Sequence, residues 1–162
     1  MRTPSSDGIT GSLAVLAAAV LIMGCSDPLR SAEVAGTYVL RTIDGDSLPA
    51  TQGSSGPLTD YTIVVVADTL RLAPDGSGTL ITIEDVVHEG SGGEVERVRL
   101  DATLHFSTTD DRVEITFLCP PNALMNCAPG PHMTARPASG GLSVTRPHGK
   151  SLDQLVYAHV ES

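Results

Sequence analysis

Val98-Arg99-Leu100-Asp101-Ala102-Thr103-Leu104-His105-Phe106 alternates apolar and polar side chains without a break. A period of two is that of a β-strand, whose successive side chains point to opposite faces. One face, Val98, Leu100, Ala102, Leu104 and Phe106, is assigned to a core. The other, Arg99, Asp101, Thr103 and His105, is assigned to water. Thr108-Thr109-Asp110-Asp111 follows as a turn, and Val113, Ile115 and Phe117 then alternate with Arg112, Glu114 and Thr116 as a hairpin partner. Of this inward face, Val98, Leu100, Leu104, Phe106, Val113, Ile115 and Phe117 are the candidate ligand-binding interior.

Working outward from this hairpin, the same grammar recurs. Upstream, Gly36 to Ile43 is predicted as the first strand, closed by Asp44-Gly45, a dipeptide favoured in tight hairpin turns. Leu48-Pro49-Ala50 is the expected return strand. Tyr61 to Leu72 is a long β-branched run, expected as one bent strand or two, and Pro74-Asp75-Gly76-Ser77-Gly78 turns it back into Thr79 to Val87. Downstream, Met133 to Arg136, Leu142 to Thr145 and Leu155 to Val160 are three shorter strands, with Ser151 to Val156 open to a single helical turn. No segment carries a sustained helical period. About eight to ten short strands joined by hairpin turns predict an all-β fold, a small antiparallel meander closed into a barrel. A β-sandwich is the alternative.

Composition narrows the function classes. The 162 residues carry 19 acidic and 10 basic side chains, a formal charge of −9, and Lys150 is the only lysine. Without a basic patch, nucleic acid is not an expected partner. With no Trp, three Tyr and two Phe, the core must be aliphatic, and stacking sites for bases or flavins are not expected.

The amino terminus has its own pattern. Leu13 to Met23 is an uncharged run of 11 residues, about 16 Å as a helix, against roughly 30 Å of bilayer hydrocarbon. It is too short for a permanent span and suits a secretory signal. Leu21-Ile22-Met23-Gly24-Cys25 resembles a bacterial lipobox. That resemblance implies cleavage before Cys25 and lipid on its thiol and new amino group, with Met23 at the second position before the cysteine departing from the usual Ala or Ser. It also implies a cell-envelope address. Ser26, in place of an aspartate, favours the outer membrane, with the domain facing the periplasm rather than the cell exterior. The competing possibility is an ordinary signal peptide followed by a structural cysteine. The expected division is a signal peptide over 1–24, a lipidated cysteine and tether over 25–33, and one β domain over 34–162.

Lipidation of Cys25 would leave Cys119 and Cys127 as a pair in an oxidising compartment. A disulfide between them closes a nine-residue ring, worth roughly 2.5 kcal/mol by chain entropy. A metal site built from both thiolates and a histidine such as His132 is the alternative.

The lipobox, the tether, Gly36-Thr37-Tyr38-x-Leu40, Asp44-Gly45 with Leu48-Pro49 and the repeated hairpins together resemble bacterial lipocalin-like lipoproteins. META-domain proteins share a similar opening. In the first group the aromatic residue of the opening motif plugs the closed end of the barrel, a role that the resemblance implies for Tyr38.

No hydrolase, zinc-protease, Walker or Rossmann motif is present. Glu84 and His88, beside Asp85 and Glu89, are weak candidates for a divalent metal, the other explanation being a solvated hairpin end. No catalytic residue, enzyme activity or cofactor is predicted. Two functions remain. One is a binding module whose mouth takes a small apolar or amphipathic ligand. The other is a structural or protein-interaction lipoprotein of the envelope with a filled barrel.

Overall fold

A computed structural model describes residues 29–54, 61–88, 93–119 and 132–161. The signal segment, Cys25 and most of the expected tether therefore lie outside the described residues. After a short 3-10 turn over Ser31–Glu33 come ten strands: β1 Gly36–Ile43, β2 Asp46–Ser47, β3 Ala50–Ser54, β4 Tyr61–Leu72, β5 Ser77–His88, β6 Glu94–Thr109, β7 Arg112–Phe117, β8 Met133–Ala138, β9 Gly141–His148 and β10 Ser151–Val160. All belong to one antiparallel sheet in the order β2-β1-β10-β9-β8-β7-β6-β5-β4-β3. β1 closes it, pairing on one side with β10 from Thr37↔Val160 to Ile43↔Leu155 and on the other with β4 from Gly36↔Leu72 to Val39↔Thr69. β1 and β4 to β10 thus form an eight-stranded meander barrel, as the hairpin pattern predicts, and the sandwich alternative does not apply.

The hairpins form where turn chemistry allows the chain to reverse. Asp44 and Gly45 both take positive φ, 53° and 94°, the pairing required by the tight turn whose twist matches its flanking strands. At the β4–β5 turn, Asp75 Oδ1 accepts hydrogen bonds from the Ser77 amide at 2.9 Å and the Ser77 hydroxyl at 2.7 Å. Leucines at 70 and 80 then face each other across the ladder. The β4 run is one strand, bent by a bulge between Val65 and Ala67. The extra residue changes the face on which the alternation runs, so Val65 and Leu70 are both buried although they lie an odd number of residues apart.

Two expectations are corrected here. The return strand over Leu48-Pro49-Ala50 is absent from its expected place. β2 pairs with β1 for two residues only, and β3 begins at Ala50 beside β4, through Ala50↔Val65. Pro49 has no amide hydrogen for a ladder, and β1 covers β4 only from Thr69 to Leu72, so β3 takes the uncovered half of β4. The possible helical turn at Ser151 to Val156 is strand, because Ser151 to Ala158 pairs with β9 along its whole length.

One end of the barrel is filled and covered. Leu104 is 0% exposed and Phe106 1%, and Val113, Ile115, Met133, Val144 and Leu155 pack with them. The 29–34 segment lies over this end, tied by the Leu29 amide to the Asp110 carbonyl at 3.1 Å. Tyr38 sits beneath it, buried, its hydroxyl donating to the Val34 carbonyl at 2.8 Å and its ring set edge-on to His159. The opposite end is formed by the far parts of β1, β5, β7 and β9 and the starts of β4, β6, β8 and β10. It is open.

Candidate functional site

The open end acquires its chemistry from the same alternation that builds the core. Inward positions on β4, Leu72 and Leu70, lead to Asp68. On β5, Leu80 leads to Thr82 and Glu84, and on β9 Leu142 and Val144 lead to Arg146. On β10 the inward row runs from Tyr157 and Leu155 to Asp153. Each strand thus turns from apolar to polar at about the same height, and a floor of polar groups rests on the aliphatic core.

Asp68 lies at the centre of that floor. It is 2% exposed. Tyr157, two strands away in the sheet, donates its hydroxyl to Asp68 Oδ1 at 2.9 Å, and Thr82 donates to Oδ2 at 3.1 Å. Burial raises the Asp68 carboxyl to about 6, against the lowering effects of these two hydrogen bonds and of the Arg146 charge, while Glu84 adds to the rise. Burial likewise pushes the Tyr157 phenol well above its ordinary value, helped by the Asp68 charge and hydrogen bond. No buried side-chain polar atom lacks a partner among the described residues.

Beside this floor Arg146 and Asp153 face each other as a cross-strand pair, with Nη2 3.0 Å from Oδ2. Asp153 also receives the Gln52 amide at 3.4 Å, and His148 Nδ1 stands 3.4 Å from its other oxygen. With both partners mostly buried, the ion pair is shielded from water and fixes the guanidinium in place.

Above the floor a cavity of about 320 Å³ opens to solvent, lined by Leu80, Thr82, Glu84, Leu100, Ala102, Phe117 and Arg146. Its volume is at the lower end of the roughly 300–1,000 Å³ of small-molecule pockets. Leu80, Leu100, Ala102 and Phe117 make an apolar wall, and Glu84 and Arg146 bring charge to it. Other hollows lie around Val34 and His159 at the covered end and around Arg71 and Thr103.

The structure divides the predicted interior set between two environments. Leu104, Phe106, Val113 and Ile115 are buried in the filled half and line no opening. Leu100, 48% exposed, and the half-buried Phe117 line the mouth cavity. Val98 lies one inward step beyond Leu100, opposite Glu84 in the β5–β6 ladder. Asp68, Thr82, Arg146, Asp153 and Tyr157 were not singled out by sequence. Their signal was present, because each falls on the inward parity of a strand whose neighbouring inward positions are leucine or valine.

Glu84 and His88 are four residues apart along β5, roughly 13 Å at about 3.3 Å per residue, too far to share one ion. Asp85 points to the other face, where Arg97 binds it at 2.7 Å, and His88 packs near Tyr61. No group of three or more His, Cys, Asp or Glu side chains converges among the described residues. His132 engages Glu114 and Thr116 on the outer surface. Cys119 follows β7 at the mouth, whereas Cys127 lies outside the described residues, as does Cys25. Among the described residues no helix is long and apolar enough to cross a membrane.

The fold defines a class, a small closed antiparallel meander barrel with one filled end and, among the described residues, one uncovered end. Compared with known protein families, curated proteins and solved structures, the chain matches none.

Proposed function

We propose that this chain is an exported lipoprotein of the cell envelope, held to a membrane through lipid on Cys25, whose barrel takes a small apolar or amphipathic ligand in its mouth. The observation that carries the binding part is the cavity above Asp68, where an apolar wall from β5, β6 and β7 faces charged side chains at the end of the barrel that no segment of the described chain covers. The role is binding rather than catalysis. Leu21 to Cys25 supports the anchor, Ser26 supports an outer-membrane address facing the periplasm, and an oxidising compartment suits a Cys119–Cys127 disulfide.

Native mass spectrometry of the protein purified from its own envelope tests the binding function. A co-purified small molecule is expected, and a bare mass overturns it. Cys25→Ser tests the anchor separately. Loss of membrane retention is expected, and unchanged retention overturns the lipoprotein assignment.

A second function is favoured by a different observation. Leu152, Val156 and Val160 stand exposed along the outward face of β10, which runs from the mouth to the filled end. In this version the barrel is a scaffold whose outer surface meets another envelope protein.

A further inference from the structure

We infer that the mouth cavity selects a cationic amphiphile, an apolar body carrying one positive charge, with Glu84 as the group that meets the charge. This rests on the ligand-binding function proposed above and adds the chemical class of the ligand.

The inference comes from how charge is distributed between the two faces of the β5–β6 hairpin. On the outward face every arginine is matched. Arg97 binds Asp85 through two hydrogen bonds of 2.7 and 2.9 Å, and Arg99 binds Asp101 at 2.9 Å. On the inward face the ladder places Glu84 opposite Val98, Val86 opposite Glu96 and His88 opposite Glu94. Residues directly opposite in an antiparallel ladder share a face, so three carboxylates lie on the face that continues the barrel interior, with no lysine or arginine among them. Glu84 is the one that lines the cavity. It is half-buried, and among the described residues it accepts no hydrogen bond and forms no ion pair.

Arg146 also lines the cavity, and an anionic ligand would have to use it. Its guanidinium is already engaged with Asp153 and is flanked by Asp68. Although the guanidinium has N–H groups to spare, its single charge is already shared by Asp153 and Asp68, and an incoming carboxylate would crowd a further negative group into a mouth that also holds Glu84. A cation makes no such demand. It meets an unpaired carboxylate on a low-dielectric wall, where one charge counts for more than it does in water. The apolar wall of Leu80, Leu100, Ala102 and Phe117 accommodates the rest of the molecule.

Calorimetric titration of the full chain tests this, with Cys25→Ser introduced so that no acyl chain of its own competes. The probes are decyltrimethylammonium, decanoate and decyl maltoside, all below their micelle concentrations. Decyltrimethylammonium is expected to bind about tenfold more tightly than decanoate, with added salt narrowing the gap. Glu84→Gln should weaken the cation about fivefold, while Glu114→Gln, on the outer face, leaves it unchanged. Decanoate binding as tightly as the cation overturns the charge selection and leaves the pocket standing. An unchanged preference in Glu84→Gln does the same. Failure of all three probes to bind overturns the pocket together with its selectivity. The cation-to-anion preference in the parent chain needs no Glu84 variant, so a misfolded Glu84→Gln still leaves a deciding measurement.

Discussion

The covered end and the open end of this barrel are made by the same eight strands, in one continuous ladder, yet they solve opposite problems. At the covered end the inward positions are leucine, isoleucine, valine, phenylalanine and methionine, with two tyrosines whose polar tips are satisfied, Tyr38 by the Val34 carbonyl and Tyr157 by Asp68 in the floor. At the open end the same positions carry Asp68, Thr82, Glu84, Arg146 and Asp153. The difference separates the half that holds the fold from the half that presents polar chemistry. Dispersion and water exclusion hold the covered half, whereas the open half spends stability on buried polar groups that must hold one another.

The sharpest way to break the comparison is to empty the covered end. Phe106→Ala removes a ring that is 1% exposed in the packed half and is expected to cost about 3–5 kcal/mol. Urea denaturation followed by far-ultraviolet circular dichroism measures it. A loss below about 1 kcal/mol would mean that the covered half is not the stabilising half.

At the open end the sign reverses, because the polar floor contains a group that folding disfavours in its charged form. The Asp68 carboxyl rises from 3.8 to about 6 in the folded chain. Between those values the folded protein holds a proton that the unfolded chain releases, so stability is full below about pH 4 and falls as pH rises through 6. Each pKa unit is worth about 1.4 kcal/mol. Asp68→Asn keeps an acceptor for Tyr157 and replaces the oxygen that accepts from Thr82 with an amide N–H that the Thr82 hydroxyl oxygen can accept, and is expected to stabilise the protein by about 2–3 kcal/mol at pH 8. Denaturation midpoints across pH 4 to 8 check this. The parent should lose stability with rising pH relative to the variant, and parallel profiles would place the Asp68 charge in water.

Arg146→Met probes the same floor from the other side. It leaves Asp153, 5% exposed, with only Gln52 and His148 beside it. The expected loss is about 2 kcal/mol at neutral pH, the order of an uncompensated buried polar group. Arg146 also lowers the Asp68 carboxyl, so its removal should move the Asp68-linked fall in stability to higher pH. The same denaturation series reads both effects.

The covered half was more legible in the sequence than the mouth, for a physical reason. A filled barrel needs only the period of two and the turn residues, and Leu104, Phe106, Val113 and Ile115 announce both. Closure was implied by strand count, but the partners of β1 were not, because a long pairing such as Gly36↔Leu72 leaves no local mark. The return strand was misplaced because Asp44-Gly45 specifies a reversal without specifying how long the partner runs, and Pro49 ends it after two residues. Asp68 carries no local mark, because Val66, Ala67 and Leu70 around it read as one apolar run. Carrying the Leu70–Leu72 alternation back one step places a carboxylate in the barrel, and only the fold brings Tyr157 and Thr82 to it.

Leu100→Ala should separate the two ends with the smallest change in stability. Leu100 is on the inward face of β6 two steps from Leu104, yet it is 48% exposed where Leu104 is 0%. A half-exposed leucine has only part of its transfer free energy to lose and leaves no closed cavity behind, so the expected cost is under about 1 kcal/mol. Its side chain nevertheless forms part of the apolar wall of the mouth. Ligand retention by native mass spectrometry should therefore fall while the urea midpoint barely moves. If stability falls as far as in Phe106→Ala, the mouth is packed core in solution; if retention is unchanged, the ligand does not sit against this wall.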